Sequence, residues 1–259
     1  MGNRIREYHR PKDSETASRL LEGGTGSRIV ALVPRSKPSL DLYGEVETLV
    51  DLNHLGFAYI RRDGAIIHVG PMTTLQELAE SPLIRSVADG ILCEAAKFAA
   101  HLGLRNSATV QGALETHEHP EEYLLPFLVL DMNPVGWSHL LRDIEIPVRP
   151  AEHGAFVRIA RTPRDIAIVS ACAVMEVEGG ACRQVRLAIS CPKPKLITSV
   201  EGILSGKAFS PELLQPAAEM VMTEVEPEND FRASAEYRRE MAGVLARRAL
   251  EMAWKRATQ

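Results

Sequence analysis

The spacing of hydrophobic and polar positions changes several times along the chain, and each change marks an element. SETASRLLEGG, residues 14–24, predicts a short helix that Ser14 caps and Gly23-Gly24 ends. RIVALV (28–33) is an unbroken apolar run, read as a buried strand, and PRSKPSLDLYGE after it is loop-like. ETLVDLNHL gives a second strand. FAYIRRDGAIIHVGP alternates on both sides of Asp63-Gly64 and predicts a hairpin. TTLQELAESPLI is a short helix with Thr73 or Thr74 as cap and a glutamate three residues on. SVADGILCEAAKFAAHLG reads as a longer helix, with Val87, Ile91, Leu92, Ala95 and Phe98 on one face. LLPFLVLDM is buried, as helix or strand.

Beyond DIEIPVRPAEHG the period changes to two. FVRIAR, DIAIVSACAVMEV and RQVRLAIS suit an antiparallel meander, with Gly179-Gly180 turning between the last two. The remainder is helical: SPELLQPAAEMVMTEV, then SAEYRREMAGVLARRALEMAWKRA. In the last helix Met241, Val244, Leu245, Ala249 and Met252 form the expected apolar face, with the arginines on a solvated one. Alternating strands and helices followed by a sheet and helices predict an α+β architecture with a boundary near residue 150.

Composition narrows the function classes. A net charge of −4 and 5% aromatic residues argue against a nucleic-acid partner. The polar start MGNRIREYHRPKDSE has no apolar core of a secretory signal, and no apolar run reaches the length of a membrane span. A cytoplasmic protein is expected. Cys93, Cys172, Cys182 and Cys191 are dispersed, which favours reduced, partly buried thiols over a cluster or zinc site.

RNSATVQGALETHEHPEEYLLP (105–126) holds the most ambiguous chemistry. Thr109 and Gly112 could form part of a turn whose amides cradle a diphosphate, because glycine lets an anion approach the backbone. A lone glycine between strand and helix is equally an ordinary turn. His117-Glu118-His119 lacks the spacing of a metal site, and no metal is expected. His101 and His139 are expected to be surface or packing residues. No GxSxG, HExxH or Walker loop occurs.

Several segments together resemble the flavoprotein subunit of molybdenum hydroxylases, the family of the carbon monoxide dehydrogenase medium subunit and the FAD domain of xanthine dehydrogenase. They are EYHRP near the start, LVDLNHLGFAYIRRDGAIIHVGPMTTLQELAESPLI (49–84), LRNSATVQG, ARTPRDIAIVSACAV and DFRASAEYRREMAGVLARRAL. The resemblance spans roughly residues 6 to 252, and the last segment is its most specific part. It implies an FAD-binding domain of the PCMH or vanillyl-alcohol-oxidase type over 1–150, in two lobes split near 55. A domain like the carbon monoxide dehydrogenase flavoprotein C-terminal domain follows over 151–259, an antiparallel sheet plus helices.

The resemblance also implies a cofactor site. The family's first phosphate loop falls on VPRSK, so Arg35, Ser36 and Lys37 are candidates, with Pro34 and Arg35 at the glycine positions. Pro34 has no N–H to give an anion. In the second loop the candidates are Thr109, Gln111, Gly112 and Ala113, with Ala108, Gln111 and Ala113 replacing Gly, Gly and Asn. Glu122 stands for the family's aspartate to FAD, Leu141 for an apolar residue packed on it, and Arg158 for a lysine near the flavin. Asp165 and Ile166 match directly. Only NPVGWSH links LVLDM to LLRDIEIP, where the family has a further hairpin.

The implied role is electron transfer. Electrons would leave a molybdopterin site in a large subunit and pass two [2Fe–2S] clusters in a small subunit. They would reach FAD here and then an acceptor, in a heterotrimer that can itself dimerise. No catalytic residue of its own is expected. The alternative is a non-catalytic homologue that has lost FAD and serves as a docking subunit.

Overall fold

The computed structural model describes residues 6–22, 27–30, 48–115, 121–137, 140–163, 165–208 and 210–259. Gly23-Gly24, the 34–45 loop, His117-Glu118-His119 and His139 lie outside them.

The first lobe is a parallel sheet in the order β1-β3-β2, built from β1 (Glu7–His9), β2 (Ser27–Val30) and β3 (Thr48–Asp51). Helix α1 (Ser14–Glu22) connects the first two and buries Ala17 and Leu21 with Val50 and Leu52. Its start corrects the expected cap. Asp13 Oδ1 accepts from the Thr16 amide at 2.7 Å, and Ser14 is the first helical residue. EYHRP and VDLN meet here: Asp51 Oδ2 accepts from the Tyr8 hydroxyl at 2.5 Å and from Arg10 Nε at 3.1 Å, while the Asn53 amide donates to Oδ1 at 2.9 Å.

The second lobe is an antiparallel sheet in the order β4-β5-β7-β6. Strands β4 (Ile60–Asp63) and β5 (Ile66–Val69) form the expected hairpin. The chain then makes a helical excursion before returning as β6 (Asn133–Trp137) and β7 (Leu140–Pro147). Helix α2 (Leu75–Glu80) has Thr74 as cap in a full capping box with Glu77. It ends at Ser81, whose Oγ caps α3 (Pro82–Arg85).

The long helix expected from Ser86 starts later. Ala88, Asp89 and Gly90 all have positive φ, and α4 runs only over Ile91–Ala99. The reason is tertiary: Asp89 Oδ2 accepts from the Gly154 amide and meets His153 Nδ1, both at 3.1 Å. Helices α5 (Leu102–Arg105) and α6 (Val110–Glu115) follow, and LLPFLVLDM resolves as helix, α7 (Leu125–Val129).

The third sheet is the expected meander, β11-β10-β9-β8, with β8 (Glu152–Ile159), β9 (Val169–Glu178), β10 (Ala181–Ser190) and β11 (Pro194–Leu196). Strand β9 is buried on both faces, which explains its unbroken apolar run. Cys172 and Val174 join the core under α4 and α7, while Ala171, Ala173 and Met175 face the C-terminal helices. Those are α8 (Ser199–Leu204), α9 (Pro211–Glu224) and α10 (Ala235–Ala257).

The buried stripe of α10 differs from the expected face. It comprises Arg238, Ala242, Leu245, Ala246, Ala249, Leu250 and Ala253, whereas Met252 is 37% exposed. Alanines let the helix approach the small residues of β9 closely. Arg238, expected in water, is fully buried, with Nη1 on the Ile168 carbonyl at 2.8 Å and Nη2 2.5 Å from Asp230 Oδ1. The DFRASAEYRRE segment is thus a helix-start lock. Ser234 caps α10 and Asn229 Oδ1 accepts from the Ala235 amide at 2.6 Å.

Within the third sheet, buried Glu152 of β8 pairs with Arg186 Nη2 of β10 at 2.6 Å, and Arg186 Nε donates to the Val129 carbonyl of α7 at 2.5 Å.

Candidate functional site

The segment Ala108–Ala113 sits where the chain enters α6, pressed against the turn 71–74. The Leu75 amide donates to the Ala108 carbonyl at 2.9 Å, and Thr74 and Thr109 form an antiparallel bridge. The Val110 amide donates to the Thr73 carbonyl at 2.9 Å and the Gln111 amide to the Pro71 carbonyl at 3.0 Å. The Gly112 amide donates to Thr109 Oγ1 at 3.2 Å and the Ala113 amide to the Thr109 carbonyl at 2.9 Å. Four consecutive N–H groups, 110 to 113, are therefore all engaged inside the protein. Ala108 and Gln111 have no solvent exposure, and Thr109 and Ala113 have 4% each.

That geometry bears on a diphosphate. A backbone cradle works when amides point outward and no side chain fills the approach. Here the amides of 110 and 111 are held by the Thr73 and Pro71 carbonyls and those of 112 and 113 by Thr109, and Ala108, Gln111 and Ala113 are buried where the family has Gly, Gly and Asn. As folded, this segment does not fit a diphosphate. Arg35, Ser36 and Lys37 lie outside the described residues, as does the Glu122 side chain.

The other candidates fall elsewhere in the fold. Leu141 on β7 is half-buried and packs against the main core. Arg158, Asp165 and Ile166 gather at the end of β8. Arg158 Nη2 donates to the Asp165 carbonyl at 2.5 Å and Nη1 to the Pro163 carbonyl at 3.3 Å, and its guanidinium carbon lies 4.5 Å from the Phe98 ring centroid. Phe98 in turn stacks on Phe156 at 6.3 Å. Arg158 thus ties the 161–165 loop to α4. Asp165 Oδ2 takes Arg161 Nε at 3.2 Å, and Ile166 is 51% exposed.

Some site-forming residues gave no signal as singles in the sequence. Pro71 and Thr73 act through carbonyls, which no side-chain pattern shows. Among the described residues one group carries metal-competent atoms within 4.8 Å of one another: His68, Asp143 and Glu145 on β5 and β7. Its atoms are already partnered. His68 Nδ1 bonds Asp143 Oδ2, the Tyr59 hydroxyl donates to Asp143 Oδ1 at 3.3 Å, and Asn133 Nδ2 donates to Glu145 at 3.1 Å. His101 is exposed, as expected, and its Nδ1 accepts from the Leu104 amide at 3.3 Å.

All four cysteines are free and buried, and burial pushes their thiols up: Cys182 and Cys191 to about 11, Cys93 and Cys172 in the same direction. They are inert as nucleophiles at neutral pH. No helix among the described residues is long and apolar enough to cross a membrane.

Comparison with known proteins matches most of the chain. The family model for the FAD binding domain in molybdopterin dehydrogenase matches residues 3–135, and that for the CO dehydrogenase flavoprotein C-terminal domain matches residues 154–253. The carbon monoxide dehydrogenase medium chain of Afipia carboxidovorans is 30% identical, covering 97% of this chain and 97% of that one. The medium chain from Hydrogenophaga pseudoflava is 28% identical over 96% and 97%. The solved carbon monoxide dehydrogenase of Hydrogenophaga pseudoflava that lacks the Mo-pyranopterin moiety matches with a TM-score of 0.84 and 26% identity, covering 99% of each chain. Quinoline 2-oxidoreductase from Pseudomonas putida 86 reaches the same TM-score at 24% identity, a likeness of fold.

Proposed function

Because this chain belongs to the family of FAD-binding medium subunits of molybdenum hydroxylases, we propose that it takes the medium-subunit place in such a complex. Its fold is the family's two-domain α+β arrangement. The partners of this reading are a molybdopterin-binding large subunit and a [2Fe–2S] small subunit, in the cytoplasm, as a heterotrimer that can pair into a dimer of heterotrimers. The division at residue 150 belongs to the same reading. Its first form is an oxidoreductase subunit in which FAD carries electrons from the clusters to an acceptor. The correspondence of both halves of the chain, nearly end to end, with carbon monoxide dehydrogenase medium chains supports it.

One observation favours a second form, a docking subunit without flavin. The amides of residues 110 to 113 are all engaged internally, and the segment that the resemblance aligns with the other phosphate loop carries Pro34 and Arg35. Co-expression with the neighbouring large and small subunits, followed by purification and an absorbance spectrum, separates the forms. A ternary complex with stoichiometric flavin bands establishes the first. A ternary complex whose flavin content stays at zero after added FAD establishes the second. No ternary complex at all refutes the medium-subunit place.

A further inference from the structure

A cleft of about 590 Å³ opens between the α4–α5 corner and Pro163; none of its described lining residues is a flavin candidate, although Arg158, which is one, holds the Pro163 carbonyl. Its size falls in the range of small-molecule sites. Lys97, His101 and Arg105 supply its polar lining, and Phe98, Leu102 and Pro163 its apolar walls. No carboxylate side chain is among the described lining residues. Phe98 and Leu102 are 40% and 54% exposed, a wide apolar surface for two adjacent loop-facing positions.

The three polar residues are all donors. His101 Nδ1 accepts from the Leu104 amide, so the neutral ring carries its proton on Nε2. Arg105 is fixed by Nε on Gln76 Oε1 at 2.9 Å and by Nη1 on the Lys97 and Ala100 carbonyls at 2.7 and 2.6 Å. That bracing holds a guanidinium at the wall without neutralising it, since every one of these acceptors is uncharged. Lys97 is exposed; Glu94, one turn back on α4, feels its charge but lies outside the lining. The opposite wall is equally fixed, because Arg158 holds the Pro163 carbonyl while lying over Phe98. Cationic donors on rigid backbone beside flat apolar walls select a negatively charged group attached to an aromatic body.

We propose that the cleft between α4–α5 and the 161–165 loop binds a small aromatic anion, a carboxylate or phosphate on a planar body. The site does not rest on the flavin reading, and its test has a separate readout. The probe is 2-naphthoate, titrated calorimetrically into the full chain, with neutral 2-naphthamide as its isostere. Binding of the acid with at least tenfold weaker binding of the amide is expected. Lys97→Met should weaken the acid about fivefold, the scale of one partly exposed charge. Leu102→Glu, which places a like charge on the apolar wall, should weaken it further. Both side chains are exposed, so neither change threatens the fold. Saturating FAD should leave the naphthoate isotherm unchanged. Equal affinity for the amide, no heat with either probe, indifference to both substitutions or displacement by FAD would each overturn the assignment. The last would place the ligand in the cofactor cleft instead.

Discussion

The backbone amide of Gln111 donates to the carbonyl of Pro71 at 3.0 Å, in a segment with no solvent exposure at that residue. A hydrogen bond of this kind is directional and, once buried, expensive to leave unmade. It therefore sets the direction in which the first turn of α6 can offer its N–H groups. The neighbouring bond from the Val110 amide to the Thr73 carbonyl works the same way. Side chains lost from a sequence motif could be replaced by an anion's other contacts. Amides already held by carbonyls are freed only by breaking those bonds.

Restoring glycine at positions 34, 35 and 111 tests this directly. The triple variant Pro34→Gly, Arg35→Gly, Gln111→Gly should leave FAD affinity within about threefold of the parent's, because glycine at 111 keeps the N–H that the Pro71 carbonyl holds. Flavin fluorescence quenching on titration reads it. A gain of tenfold or more would show that the residues at the glycine positions, and not the pairing with Pro71 and Thr73, limit binding.

Asp230 and Arg238 should be strongly coupled. Arg238 has no exposure, so Asp230→Asn leaves a buried guanidinium without its counter-charge. Unfolding by urea should show a loss of about 2–4 kcal/mol for Asp230→Asn. The double variant Asp230→Asn, Arg238→Leu should recover part of it. Purely additive losses in that cycle would remove the pair from the account of the α10 start.

Asp51 gives the first lobe an acid limit. Burial alone would raise its carboxyl, but hydrogen bonds from Tyr8, the Asn53 amide and Arg10 outweigh that and hold it at about 2. A carboxyl depressed in the folded state contributes stability above its unfolded value near 3.9, and that contribution fades as pH falls toward 2. Water screens the half-exposed Tyr8 and Arg10, so the contribution is about 1–2 kcal/mol. Asp51→Asn should lower stability near neutral pH and flatten the acid limb of the urea midpoint. An unchanged limb would show that other carboxylates set it.

Gly70 and Gly64 should respond oppositely to alanine and asparagine. A Cβ on Gly70 would lie 2.0 Å from the Phe57 carbonyl oxygen, so Gly70→Ala must move backbone and should cost about 2–4 kcal/mol. Gly64, at the hairpin turn with φ +56, has nothing within 4 Å of such an atom. Gly64→Asn should stay within about 1 kcal/mol, because asparagine tolerates that backbone region. Thermal unfolding of the two variants side by side decides it.

Much of this protein was fixed by local chemistry that a sequence displays. The Asp63-Gly64 hairpin, the Thr74–Glu77 capping box and the meander around Gly179-Gly180 need only residues a few positions apart, and each forms where the pattern placed it. The family followed from segments such as DFRASAEYRRE, whose chemistry is also local: Ser234 and Asn229 cap the helix that begins beside them. What the tertiary structure decided involves partners far apart in the chain. Asp89 bends into positive φ for the amide of Gly154, shortening a helix that its own period extends. Arg238 leaves water for the Ile168 carbonyl and Asp230, although its periodicity with the other arginines assigns it to the surface. The amides of 110 and 111 bond the carbonyls of Thr73 and Pro71, some forty residues away, because backbone groups without side-chain identity pair there. A sequence lists side chains and their spacing; it does not record which carbonyl a buried amide will find.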